Sequence, residues 1–151
     1  MRKFFIYGFG TGLGTGYAPI APGTAGSLLG LVLFFLFPLN EWYWLAITVL
    51  VFFIGVWTST IIEKEKGEDP PIVVIDEVVG QWVALLFIPF YSLKIYILAF
   101  LLFRLFDVRK PPPIDQSQRL KAGYGIMIDD VLAGIYANII LQLIFRTGLW
   151  S

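Results

Sequence analysis

Apolar residues fall along this chain in long blocks with polar residues gathered between them. Five blocks read as helices, over residues 24–37, 42–62, 72–90, 93–106 and 130–145. The second is the cleanest, with no charged residue inside it. A helix that crosses a bilayer needs about 20 apolar residues, with a range of about 17–25. The first block is short by that measure. It either crosses at a tilt or re-enters the face it left.

Breakers divide the blocks. Pro38-Leu-Asn-Glu41 separates the first two, residues 64–71 form a charged loop ending in Pro70 and Pro71, and residues 89–92 make a tight turn. Pro111, Pro112 and Pro113 exclude a helix interior, because each lacks an N–H and clashes with the preceding turn. They predict a stiff polyproline strut. Met1-Arg2-Lys3 and the apolar residues after it resemble a signal segment only superficially. The run dissolves into glycines and is expected to stay in the mature chain.

Composition places these blocks in lipid. The chain has 151 residues, enough for one domain, and is 58% hydrophobic but only 15% charged. Soluble domains carry about 25% charged residues, and a small one leaves much of its surface exposed. The expected fold is all-α: a single-domain, polytopic transmembrane bundle of four to five hydrophobic helices. If all five blocks cross, Arg2, Lys3, Lys64, Lys66, Arg109, Lys110, Arg119 and Lys121 share one face, with Lys94 and Arg146 on the other. The basic face is then the cytoplasmic one. A re-entrant first block would exchange the sides of the later loops. Trp42, Trp44, Trp57 and Trp150 fall near predicted helix ends, where amphipathic rings suit the interface.

Charge and composition also exclude chemistry. Eleven basic residues balance eleven acidic ones, and no basic run or zinc spacing points to nucleic acid. The chain has no Cys and no His. Catalysis must therefore rest on carboxylates, Lys, Arg, Tyr, hydroxyls or a bound metal.

Four segments carry candidate chemistry. Asp76 and Glu77 interrupt an apolar block, and charges inside a membrane mark functional sites. The plainer reading puts both at a wet helix N-terminus. Arg104 and Asp107 are three apart and share a helix face, which a local ion pair explains. Arg109 and Lys110 follow at once, and cations beside carboxylates suit an anionic phosphate with its metal. Asp129 and Asp130 are expected to open the last helix. Capping needs one carboxylate, whereas two next to glycines suit a hard cation such as Mg²⁺. Beyond them Asp130, Gly134, Asn138 and Gln142 recur every four residues as a stripe facing the bundle interior. The glycine-rich segment from Gly8 to Gly16 is neither a Rossmann fingerprint nor a P-loop. Its backbone N–H groups could still cradle phosphate, with Thr24 capping the next helix. In the five-crossing arrangement all four segments meet at the cytoplasmic face.

These residues resemble a known family. Ala18-Pro-Ile-Ala-Pro-Gly-Thr24, Asp76-Glu-Val-Val-Gly80, Phe103-Arg-Leu-Phe-Asp107 with Lys110-Pro111, and Gly125-Ile-Met-Ile-Asp-Asp130 with Ala133-Gly134 look like the phosphatidylglycerophosphatase A family. The motifs occur in family order over nearly the whole chain. Ala122 departs from the pattern, where a second glycine is expected before Gly123. The resemblance implies a Mg²⁺-dependent enzyme of the bacterial cytoplasmic membrane that converts phosphatidylglycerophosphate to phosphatidylglycerol and inorganic phosphate. On it rest the expected roles: Asp76, Asp107, Asp129 and Asp130 as metal ligands, and Glu77 as ligand or general base. Arg104 and Lys110 would neutralise phosphoryl oxygens, and Thr24 is a further phosphate contact. Attack by a metal-activated water is preferred over an aspartyl-phosphate, since no D-x-D motif is present. Two rivals are weighed. A small ion or solute transporter would place carboxylates near mid-bilayer and show internal repeats, and none is clear. A phosphatidyltransferase would carry a long motif beginning D-G-x-x-A-R, which is absent.

Overall fold

The computed structural model describes residues 1–149. Among them are seven α-helices and no strand: α1 (Arg2–Gly10), α2 (Pro22–Leu36), α3 (Glu41–Lys66), α4 (Ile75–Leu85), α5 (Leu93–Arg109), α6 (Ile114–Ser117) and α7 (Gly123–Arg146). Each of the five expected blocks overlaps one helix, with α7 starting seven residues before its block. Two helices, α3 with 26 residues and α7 with 24, are long and apolar enough to cross a membrane. α2 and α4 have 15 and 11 residues, short of the roughly 20 that a span needs. The 17-residue α5 is charged toward both ends.

The five larger helices alternate in direction. At the turn between α2 and α3, Trp44 Nε1 donates to Phe37 O at 3.1 Å and the Trp44 ring stacks on Phe34. Trp44 is thus a core residue rather than an interfacial one, while Trp42 is exposed. Trp57 lies well inside α3 rather than at its end, and Trp150 lies outside the described residues.

α4 sits at the centre, its face against α2, α5 and α7 almost fully buried. It is shorter than its apolar block because Leu86 is extended and Phe87 takes a positive φ before Pro89. Its last carbonyls would be orphaned in an apolar bundle. Asn138 Nδ2 donates to Val83 O, Ala84 O and Leu86 O, and Gln142 Nε2 donates to Phe87 O. The four-residue stripe on α7 thereby closes the C-terminal end of α4. One turn earlier Gly134 and Gly80 bring the two backbones together. A Cβ on Gly134 would lie 2.4 Å from Gly80 O, and one on Gly80 would lie 2.7 Å from Asp130 O.

Three segments differ from expectation. Residues 2–10 form a helix that packs on the end of α3, with Tyr7 Oη donating to Glu65. Ile6 is buried there and Gly10 lies against Ile62, so packing offsets the weak helix propensity of its glycines. The three prolines make a turn, closed by Ile114 N to Pro111 O at 2.8 Å, that launches α6 instead of forming a strut. α7 begins at Gly123, so Asp129 and Asp130 lie in its second turn and do not cap it.

Candidate active site

Five helix ends meet at one end of the bundle: the N-termini of α2, α4 and α7 and the C-termini of α3 and α5. The first turn of α4 supplies Asp76 and Glu77. The end of α5 supplies Arg104, Asp107 and its cap Lys110. The second turn of α7 supplies Asp129 and Asp130. These seven side chains line one cavity of about 360 Å³. The polar segments of α4, α5 and α7 that the sequence singled out therefore converge in space. Lys64, Lys66, Arg109, Arg119 and Lys121 lie at the same end, and Lys94 and Arg146 at the opposite end.

Ion pairs knit the outer half of the cluster. Arg104 donates to Asp107, and Lys110 Nζ reaches Asp107 Oδ1 at 3.2 Å and Asp129 Oδ2 at 2.7 Å. Burial alone would lower the Lys110 pKa. Its hydrogen bond to Asp129, with the charges of Asp129, Asp130 and Asp107, outweighs that and raises it above the ordinary value. Lys110 therefore stays cationic. It takes a left-handed backbone, φ 45°, at the end of α5, which turns its amine back toward α7.

The inner half is short of positive charge. Six carboxylates, counting Asp69, line the cavity with two cations, and Asp76, Asp107, Asp129 and Asp130 are all buried. Asp76 Oδ1, Glu77 Oε2 and Asp130 Oδ2 are enclosed and have no hydrogen-bond partner. Buried carboxylate oxygens are costly unless something compensates them. Two triads place one oxygen from each member within 4.8 Å of the others: Asp76, Asp129 and Asp130, and Glu77, Asp107 and Asp130. Asp130 belongs to both. An all-oxygen, all-anionic donor set with unsatisfied buried atoms fits a hard divalent cation.

The N-terminal segment contributes differently from expectation. Ala21, Pro22 and Gly23 line the cavity, whereas Thr24 does not. α2 is capped by Ala21 and opens with Pro22, so Thr24 is inside the first turn and not its cap. The glycine-rich segment packs against the turn that leads into α4, where Val74 N donates to Gly10 O at 3.0 Å. Sequence reasoning passed over Gly23 and Asp69. A Cβ on Gly23 would come within 2.6 Å of Glu77 Oε1 and 3.2 Å of an Arg104 nitrogen. Asp69 stands at the mouth of the cavity, next to Pro70 and Pro71. The proline pair that holds Asp69 there was the available signal.

The chain is similar to known proteins over most of its length. Residues 8–145 match the family profile described as phosphatidylglycerophosphatase A. A Haemophilus influenzae protein named phosphatidylglycerophosphatase A is 41% identical over 140 residues, covering 90% of this chain and 86% of the relative. An Escherichia coli protein of the same name is 35% identical, covering 88% of this chain and 79% of the relative. A Bacteroides thetaiotaomicron protein, provisionally named a phosphatidylinositol-3-phosphatase, is 44% identical over 89% of both chains. No solved structure matches.

Proposed function

The chain belongs to the phosphatidylglycerophosphatase A family and is a lipid-directed phosphoric monoester hydrolase; we propose that it hydrolyses phosphatidylglycerophosphate to phosphatidylglycerol and inorganic phosphate with Mg²⁺ as its metal. The observation that carries the reading is the charge deficit of the cavity: three enclosed, unpartnered carboxylate oxygens beside only two cations.

Asp76, Asp129 and Asp130 would hold one cation, and Glu77, Asp107 and Asp130 a second. When bound, such cations supply Lewis-acid neutralisation of a phosphoryl group. The protein's own residues do the rest. Arg104 has donors beyond the one that meets Asp107, and these suit the equatorial phosphoryl oxygens. Lys110 holds Asp129 and Asp107 in place and adds a fixed positive charge where negative charge builds. A water forms the new bond to phosphorus as the ester P–O bond breaks, and the proton that the water loses ends on the departing glycerol oxygen. Gly23 keeps the α2 terminus close to Glu77 and Arg104, walling the reacting group from lipid.

The site lies at the basic end of the bundle, which supports a cytoplasmic orientation in a multi-pass protein of the bacterial inner membrane. The substrate's acyl chains would stay in lipid beside the exposed apolar faces of α2, α3 and α5. This one-ended placement argues against a transporter, whose binding site belongs near the midplane. Phosphatidylglycerophosphate is favoured over an inositol lipid because the family profile and two relatives agree on it. Parallel assays on both lipids in detergent test the choice. A higher kcat/KM for phosphatidylglycerophosphate supports it, and the reverse order removes it.

A further inference from the structure

A second polar cavity, of about 580 Å³, adjoins the metal-ligand cavity and shares Asp69 and Asp129 with it. Nothing in the reaction as described uses it. One wall carries Glu63, Glu68 and Asp69. The other is the loop between α6 and α7, with Gln118, Arg119 and Lys121.

The loop is firmly placed. Arg119 N donates to Gln116 O and Leu120 N to Ser117 O, both at 3.1 Å. Gly125 in the first turn of α7 lets the loop backbone close in. A Cβ there would lie 2.5 Å from Leu120 O and 2.9 Å from Gln118 O. The loop's cations are also unshared. Arg104 and Lys110 are both paired with carboxylates, whereas neither Arg119 nor Lys121 forms an ion pair among the described residues. They have no such partner although four carboxylates, Glu63, Glu68, Asp69 and Asp129, line the same cavity.

Resting on the lipid phosphatase reading above, the substrate carries two anionic groups: the terminal monoester, and the phosphodiester that joins its glycerol to the diacylglycerol. We propose that the outer cavity is the subsite for that bridging phosphodiester, with Arg119 and Lys121 as its ligands. The carboxylate wall opposite accepts a hydrogen bond from the one free hydroxyl of the glycerol that links the two phosphates. Two charge-assisted contacts to the diester fix the headgroup and leave the monoester over the metal ligands. A phosphate monoester that lacks the diester has nothing to place there, so the outer cavity selects lipids with a bridged headgroup. These contacts are the same before and during reaction, so they belong to binding rather than to the chemical step.

The test uses short-chain phosphatidylglycerol, which keeps the diester and lacks the monoester. Its binding to the full-length protein in detergent is measured for wild type and for Arg119→Gln with Lys121→Gln. Both side chains are exposed, so the substitutions leave packing intact. The double variant binds it about tenfold more weakly, and KM for phosphatidylglycerophosphate rises by a similar factor while kcat stays within about twofold. Arg119→Lys with Lys121→Arg recovers most of the affinity. Unchanged affinity in the Gln variant overturns the subsite. So does an equal loss in Lys64→Gln with Lys66→Gln, since those lysines share the bundle end but do not line the cavity. Protein that binds phosphatidylglycerol through this loop but releases no phosphate would instead overturn the phosphatase reading.

Discussion

Lys110 Nζ lies 2.7 Å from Asp129 Oδ2, a contact that ties the end of α5 to the second turn of α7 across 19 residues of chain. In the proposed reaction this contact makes Lys110 both a strut for a metal ligand and a charge beside the phosphate. Lys110→Ala strands Asp129 without its partner, and a lost charge-assisted contact in such a site costs about 2–4 kcal/mol of transition-state stabilisation, a rate loss of roughly 30- to 1,000-fold. Lys110→Arg keeps the charge and retains partial activity. Phosphate release from lipid micelles measures both. Wild-type rates in Lys110→Ala would remove this residue from the site.

Asp130 shares both carboxylate triads, so it is the most sensitive single position. Asp130→Asn abolishes turnover and lowers the number of Mn²⁺ ions bound, with Mn²⁺ used as a spectroscopic stand-in for Mg²⁺. Asp76→Asn and Asp129→Asn also abolish turnover, but each touches one triad and leaves part of the binding. A folded Asp130→Asn protein that binds metal as wild type does would contradict the shared-ligand arrangement.

How much of this was legible in the sequence follows from which forces set each feature. The apolar blocks were readable because lipid and core both demand them, and the carboxylates were readable because nothing apolar tolerates them. Helix lengths were not. The apolar block from 72 to 90 holds only an 11-residue helix, since Asn138 satisfies the carbonyls that α4 leaves free. That contact joins residues more than 50 apart. Thr24 is legible as a candidate because a hydroxyl has visible chemistry, whereas the value of Gly23 is the space it leaves for Glu77 and Arg104.

Gly80 makes a similar point at the α4–α7 crossing. A Cβ there would come within 2.5 Å of the Phe103 ring and 2.7 Å of Asp130 O. Gly80→Ala pushes α7 away and shifts Asp130 with it. Overpacking of this kind costs about 1–3 kcal/mol. A lower Tm in detergent together with a weakened metal affinity is expected. A variant as stable and as tight as wild type would show that the crossing has slack.

Ala122 holds φ 56° and ψ −146°, a conformation that suits glycine. Ala122→Gly relieves this strain and stabilises the protein by about 1 kcal/mol. Thermal unfolding in detergent would show a higher Tm. A fall in Tm would mean that the methyl group makes compensating contacts.

Orientation is open to labelling, because the chain has no cysteine of its own. Lys66→Cys and Gln116→Cys, both exposed at the site end, react with impermeant thiol reagents from the cytoplasmic side only. Lys94→Cys, at the other end, reacts from outside. The reverse pattern would place the carboxylate cavity on the wrong face for a cytoplasmic enzyme.

The central claim is that the carboxylate cavity hydrolyses a lipid phosphate monoester through a divalent cation held by its own side chains. Phosphate release from phosphatidylglycerophosphate in detergent micelles, where no gradient can form, tests it directly. EDTA-stripped wild-type protein should be silent, and added Mg²⁺ should restore release along a saturable curve. Folded wild-type protein that releases no phosphate with Mg²⁺ present, or that works equally well after stripping, would contradict the account.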